Sequence, residues 1–346
     1  MTISLCMIVK NEEKTLPVCL SSLQGIVDEM IIVDTGSTDS TKDVARSFGA
    51  RVCDYVWQDD FAAARNHAFS LATGDYIYSA DADEEIDEEN RERFLALKED
   101  LACGRIEADI VQFLYGGQLN QRSVYNYDCE YRPKLFKRQR SFVWEGAVHE
   151  QVRLDAAVYD SGIRIEHKPH GQHAARDLAI FARMTERGEK MPERLEKLYA
   201  RELWIAGTED DLRRAEGFFS RYAEETQDAA ALEAALLICL RAARAAGDTE
   251  SFFKHAIRLI DGQEKSSELC MELGEHYLTA GDPGEALLWF LSARDAAAPV
   301  LDLEAGTRLA AKRAAECFRL LGDADSAQEY EDLAAGEKEE ANGAQG

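Results

Sequence analysis

Asp81 and Asp83, two carboxylates one residue apart, close the stretch Gly74-Asp75-Tyr76-Ile77-Tyr78-Ser79-Ala80-Asp81-Ala82-Asp83-Glu84-Glu85. They follow Tyr76, Ile77 and Tyr78, whose aromatic and β-branched character predicts a short buried strand. Ligands of open α/β sheets bind outside the carboxyl ends of the strands. Two carboxylates at that place can hold a hard divalent cation against a diphosphate. A lone D-x-D in a chain with 65 acidic residues also suits a solvated acidic turn, so the neighbouring strand ends decide its meaning.

Those neighbours are polar. An apolar strand predicted over residues 4–9 stops at Lys10-Asn11-Glu12-Glu13, and a second over 28–33 stops at Asp34-Thr35-Gly36. Helices are expected over 13–23, 40–48 and 60–72, with a short strand over 51–55 and the D-x-D strand over 75–79. Strand and helix alternate at βαβ lengths, which implies a parallel sheet covered on both faces and strand ends that converge on one crevice. Read by themselves, Asp34 also suits a turn before Gly36, and Arg65 suits a surface helix position pairing Asp59 or Asp60. Glu84 and Glu85 are expected to open a helix, where acids are favoured.

Composition narrows the function classes. With 346 residues and 46% hydrophobic content the chain can build two domains with a sizeable core. The net charge of −25 argues against nucleic acid as a partner. No apolar run is long enough to span a bilayer. The N-terminus lacks a signal-peptide pattern, and the eight cysteines form no C-x-x-C pair. A cytoplasmic location is the expectation. No G-x-G-x-x-G follows the first strand and no Walker lysine loop is present, so a nucleotide would have to be held by carboxylates and a metal.

Four motifs in order, CMIVKNEE, IIVDTGSTDST, DDFAAARNHAF and GDYIYSADADEE, resemble the inverting family 2 glycosyltransferases of the GT-A fold over roughly residues 1–100. The resemblance implies a nucleotide-sugar pocket lined by Val9, Lys10, Asn11, Glu12 and Asp34, with Arg65 reaching the nucleotide or its phosphates. It implies that Asp83 binds Mn2+ or Mg2+ on the diphosphate, and that Asp81, beside Ala82, holds the ribose or a metal-bound water.

A further strand is expected over 108–115, then a polar loop over 116–130. Tyr131-Arg132-Pro133-Lys134-Leu135-Phe136-Lys137-Arg138 and Phe142-Val143-Trp144-Glu145-Gly146-Ala147-Val148-His149-Glu150 resemble stretches of a bacterial subgroup of these transferases. That subgroup includes lipopolysaccharide-core glucosyltransferase-like proteins and sublancin-type S-glycosyltransferases. Arg132, Lys134, Lys137 and Arg138 read as a basic patch that faces the diphosphate or as a solvated loop. An inverting transferase needs a base for the acceptor, and Glu150 is the candidate. His149 is expected as a metal ligand or an orienting neighbour, or else as a core histidine. His167 or His170, in a segment with no strong zinc spacing, would complete the metal or pyrophosphate shell.

From Asp177 onward strand-like runs vanish. Gly207, Gly247, Gly281 and Gly322 are spaced by 40, 34 and 41 residues, which reads as a helical-hairpin repeat. Residues 273–293 match the tetratricopeptide pattern. The expected fold is thus an α/β GT-A catalytic domain over 1–185, an all-α tetratricopeptide-like domain over 190–335, and a disordered tail over 336–346. The expected activity moves a hexose, glucose or N-acetylglucosamine, from a UDP-sugar to a peptide, protein or glycan acceptor. The repeats would offer a surface for a protein partner or self-association. Two rival readings are a non-catalytic tetratricopeptide scaffold with a degenerate transferase domain, and a nucleotidyltransferase.

Overall fold

The computed structural model describes residues 1–116, 130–153, 156–168, 174–261 and 265–343. They divide into two compact units, one holding the described residues up to Lys168 and the other those from Ala174. The first helix of the second unit therefore begins ahead of residue 185, where the sequence reading drew the boundary.

The N-terminal unit is built on an eight-stranded sheet. In chain order its strands are β1 (Ile3–Val9), β2 (Glu29–Asp34), β3 (Arg51–Asp54), β4 (Tyr76–Ser79), β5 (Glu84–Glu85), β6 (Ile110–Gly116) and β7 (Glu130–Lys137). A two-stranded ribbon, β8 (Trp144–Glu145) and β9 (Gln151–Val152), precedes the last strand, β10 (Val158–His167). The spatial order is β3-β2-β1-β4-β7-β6-β10-β5. β3, β2, β1 and β4 run parallel, as the alternating pattern predicts. β7 runs antiparallel between β4 and β6. This is the α/β, mostly parallel sheet expected. The chain winds one way from β1 to β2 and the other way to β4, so the loops after β1, β2 and β4 meet at a topological switch point.

Both faces of the sheet are covered, because successive side chains alternate. Leu5, Met7 and Val9 face a core shared with α1 (Leu16–Leu23), α2 (Thr41–Ser47) and α4 (Glu88–Ala102). Cys6, Ile31, Val33, Ile77 and Phe136 face the other way. There Ala68 and Phe69 of α3 (Phe61–Ser70) cover them together with Trp144 of the ribbon. Packing α3 and the ribbon on the same face brings residues 65 and 150 to one end of the sheet.

Two expectations are corrected here. Residues 131–138 are not a loop: 131–137 lie in β7, and Arg138 begins a short 3-10 turn. Lys134 is buried and ion-paired with Glu84. Glu84 and Glu85 do not open a helix; they form β5, paired with β10, and α4 starts three residues later behind Asp87, whose side chain caps Asn90 N at 2.8 Å.

The C-terminal unit is helical: α5 (Ala174–Glu186), α6 (Glu193–Ala206), α7 (Glu209–Glu225), α8 (Ala229–Ala246), α9 (Thr249–Ile260), α10 (Ser267–Thr279), α11 (Pro283–Asp295), α12 (Arg308–Leu321) and α13 (Ala324–Gly343). The last helix extends into the stretch that the sequence reads as disordered. The Gly-Asp turns do join hairpins. Gly247, Gly281 and Gly322 take left-handed φ values of 71°, 83° and 85°, and the following Asp248, Asp282 and Asp323 accept from backbone N–H groups of the next helix. Gly274 serves close packing, since a Cβ there would lie 2.5 Å from Phe290 Cε1. No helix among the described residues is long and apolar enough to cross a membrane.

Candidate functional site

The loops after β1 and β2 brace one another. Asn11 has a left-handed φ of 58°. Its N–H donates to Ser37 Oγ at 2.9 Å, and its Oδ1 accepts from Thr38 N at 2.8 Å. Glu12 N donates to Thr41 Oγ1 at 2.7 Å. Val9 is buried, and its carbonyl accepts from Thr35 N at 3.0 Å. Lys10 is exposed. Asp34 is buried at the end of β2, and its Oδ2 accepts from Gly36 N at 3.1 Å and Ser37 N at 3.0 Å. Its Oδ1 is buried with no hydrogen-bond partner among the described residues. A buried acceptor left in that state costs free energy until a donor reaches it.

Arg65 sits at the centre of the crevice. It projects from α3, which Asp60 caps by accepting from Ala63 N at 2.8 Å. Arg65 Nε donates to Glu150 Oε1 at 2.6 Å and Nη2 to Asp81 Oδ1 at 2.7 Å. Nη1 donates to Ser79 Oγ at 3.3 Å, and the guanidinium lies 5.0 Å from the centroid of the Trp144 ring. The partners are thus Asp81 and Glu150, 16 and 85 residues away, not Asp59 or Asp60. Burial works against the charges of Arg65 and Asp81. The pairing outweighs it: Arg65 holds Asp81 well below the usual carboxylate range, and the two carboxylates hold the guanidinium protonated.

Next to this network Asp83 Oδ2 lies 3.2 Å from His167 Nε2, at the end of β10. The His167 ring rests on Tyr115, 5.1 Å between centroids. Lys168 N donates to the Asp83 carbonyl at 2.9 Å. Ala82 is buried between the two aspartates. Beneath them Glu84 is buried, and burial raises its carboxyl even with Lys134 against it. Arg132 lies over the Tyr115 ring at 4.1 Å and pairs with Glu130 at 2.5 Å.

The structure therefore joins Arg65, Asp81 and Glu150 in one network and Asp83 with His167 in an adjacent pair. It does not bring His149 to that pair, because no three His, Cys, Asp or Glu side chains group for a metal among the described residues. His149 occupies a left-handed turn, φ 50°, between β8 and β9. His170 lies outside the described residues.

Sequence reasoning missed Asn66. Its Nδ2 donates to Trp144 O at 2.9 Å, and its Oδ1 accepts from Trp144 N at 2.8 Å. These two hydrogen bonds tie the ribbon to α3 and so help set Glu150 against Arg65. The only sequence signal was its place beside Arg65 in the ARN string.

Residues 4–152 match the model of glycosyl transferase family 2. Among curated proteins the chain is similar to a TPR repeat-containing protein of Synechococcus elongatus, 52% identical over 84 residues, or 24% of this chain and 21% of that one. It is 28% identical over 160 residues to the SPbeta prophage-derived glycosyltransferase SunS of Bacillus subtilis, covering 43% of this chain and 34% of that protein. An uncharacterized glycosyltransferase of Rickettsia typhi is 34% identical over 106 residues, 27% of this chain and 36% of its own. The matched segments thus span between 21% and 36% of the length of these relatives. Among solved structures, glucosyl-3-phosphoglycerate synthase of Mycobacterium tuberculosis overlays 56% of this chain and 82% of its own with a TM-score of 0.40 at 20% identity. Residues 1–349 of S. aureus TarS overlay 85% and 91% with a TM-score of 0.39 at 15% identity.

Proposed function

We propose, from the premise that residues 4–152 form a family 2 glycosyltransferase domain, that this chain is an inverting transferase of a hexose from a UDP-sugar, dependent on Mn2+ or Mg2+. Its acceptor on this reading is a peptide, protein or saccharide. The observation that carries the reading is the strand-end cluster itself: Asp83 against His167, beside Asp81 and Glu150 bridged by Arg65.

The donor set suits a hard or borderline divalent ion. Asp83 Oδ2 and His167 Nε2 lie 3.2 Å apart, near enough for both to face one ion. Asp83 and His167 would hold the ion, and phosphate oxygens and water would complete its shell. Bound there, it would neutralise the charge that develops on the departing nucleoside diphosphate.

The remaining roles fall to this chain's own groups. Asp34 Oδ1, buried without a partner, takes a donor from the nucleoside, and Val9 and the Lys10-Asn11-Glu12 loop wall that pocket. Asp81, fixed by Arg65, accepts from the ribose or from water on the metal. Glu150 takes the acceptor proton as the acceptor attacks the anomeric carbon. Arg65 orients both carboxylates and limits the negative charge the donor meets. The helical hairpins form the tetratricopeptide-like partner surface of the same proposal.

Calorimetry with UDP and UDP-sugars tests this. Binding is expected only with Mn2+ or Mg2+, and Asp83→Asn should reduce transfer by on the order of a thousandfold. No UDP-sugar binding with either metal, or turnover indifferent to both chelation and Asp83→Asn, would sink the proposal.

A further inference from the structure

Residues 81–85 carry four carboxylates, Asp81, Asp83, Glu84 and Glu85. Three of them face a permanent cation. Asp81 pairs with Arg65, Glu84 with Lys134 and Glu85 with Lys168. Asp83 pairs with His167 alone among the described residues. The charge of the turn is thus offset everywhere except at the position that the transferase reading assigns to the ion.

Glu84 is the member that most needs restraint. In the antiparallel pair of β5 and β10 it stands directly opposite His167, and directly opposite residues project from the same face of a sheet. It is therefore the carboxylate placed to share an ion with that histidine. Its side chain turns instead to Lys134 of β7, and no three His, Cys, Asp or Glu side chains group for a metal among the described residues. Lys134 also meets the support of the histidine. Its ammonium lies 5.1 Å from the centroid of the Tyr115 ring, the ring on which His167 rests.

Stability of the fold does not account for a lysine here. Both Lys134 and Glu84 are buried, and apolar residues of similar volume often serve as well as a buried ion pair or better. Glu84 Oε2 also lacks a hydrogen-bond partner among the described residues, so the pair leaves one acceptor unsatisfied at a cost.

We propose that Lys134 is a positioning residue of the metal site: by holding Glu84 it keeps that carboxylate out of the coordination shell and leaves Asp83 and His167 as the pair that receives the ion. A further anionic ligand would bind the ion more tightly to the protein and take a position needed by a phosphate oxygen or water. The inference rests on the metal-dependent transferase reading.

Water-proton relaxation titrations of the full chain with Mn2+ alone read both the affinity for the ion and the water it retains. Lys134→Met should bind Mn2+ about tenfold more tightly, because ligand charge sets affinity. The relaxation enhancement per bound ion should fall, because the freed Glu84 carboxylate displaces a water. Lys134→Arg should match the unchanged protein, and Lys134→Met combined with Glu84→Gln should return both readings to its values. Lys134→Gln keeps a donor for Glu84 without the charge, and a tightening of about threefold is expected of it should Lys134→Met fail to fold by circular dichroism. A merely structural lysine would lower the urea midpoint and leave both Mn2+ readings unchanged. That result, or tighter binding with no loss of water, would overturn the inference and leave the transferase reading standing. If the unchanged protein takes up Mn2+ neither alone nor with UDP, both readings fall.

Discussion

The two units contain charge networks of opposite composition. At Arg65 one buried cation is shared by two carboxylates, Asp81 and Glu150. At Glu272 one buried carboxylate is shared by two cations, Arg241 and Arg244. Burying any charge is costly, and a one-to-one pair at least leaves no net charge behind. Neither network is one-to-one. The first leaves a negative surplus at a crevice of strand ends, fit for a cation that accompanies a diphosphate. The second leaves a positive surplus between helices. The sign of the excess distinguishes the two sites better than the identity of the residues, which is Arg with Asp or Glu in both.

The most severe way to break the first network is to remove its single cation. Arg65→Met leaves Glu150, largely buried, and Asp81, partly exposed, without their shared partner; loss of one member of a fully buried network costs about 3–5 kcal/mol, and the access of Asp81 to solvent puts this case at or below the lower end. Transfer should fall below detection. Trp144, 5.0 Å from the guanidinium, should report earlier urea unfolding of the N-terminal unit. Arg65→Lys cannot span both carboxylates as a fork does and should recover only part of the stability. Full recovery by lysine would show that charge alone, not geometry, matters there.

Removing the single anion of the second network is the matching experiment. Glu272→Gln strands two guanidinium groups, at about 3 kcal/mol, read by Trp204 fluorescence because Arg241 stacks on that ring. Burial would raise the Glu272 carboxyl, but Arg241 and Arg244 hold it below the ordinary value. If Glu272→Gln were neutral while Arg65→Met is severe, the helical network would not be the counterpart proposed.

Arg65, Asp81 and Glu150 were each singled out from the sequence, but their pairing with one another was not, and the second network was not read at all. Asp34, Asp81, Asp83 and Arg65 could be placed because βαβ alternation sends successive strand ends to one edge, and four ordered motifs marked them. Glu84 was misread because acids after a strand usually start a helix. Its partner Lys134 is 50 residues away on β7, an antiparallel insertion that no local pattern announces. Likewise the partners of Glu272 sit 31 and 28 residues earlier on another helix, and amphipathic periodicity says only which face is inward. Three of the four hairpin turns were legible because each uses a left-handed glycine followed by an aspartate cap; at the fourth, Gly207 is extended and Thr208 caps the next helix. Charge pairing between helices has no comparable local signature.

A smaller effect separates packing from charge in the helical unit. Gly274→Ala improves intrinsic helix propensity by about 1 kcal/mol, but its methyl would sit 2.5 Å from Phe290 Cε1. Overpacking of this kind costs about 1–3 kcal/mol, so the variant should lose on the order of 1 kcal/mol in urea unfolding. A stabilised variant would mean that the α10–α11 contact relaxes freely.

The smallest expected effect is the response of the first network to acid. The Asp81 side chain is 36% exposed, so solvent moderates the consequence. Burial would lift its carboxyl, yet Arg65 and then Lys134 hold it below the ordinary value of about 3.9. A depressed folded value means that the unfolded chain takes up the proton first. The contribution is therefore complete above about pH 3.9 and declines only as the pH falls through the lower folded value. Glu84, raised by burial, acts in the opposite sense: its contribution is present below about pH 4.3 and fades as the pH rises through its folded value. Asp81→Asn should thus flatten the loss of stability below pH 4, whereas Glu84→Gln should flatten the change above it. Urea titrations of the two variants from pH 3 to pH 7, followed at Trp144, would separate them. Identical profiles would show that the Arg65 network and the Lys134–Glu84 pair titrate as one unit rather than as two.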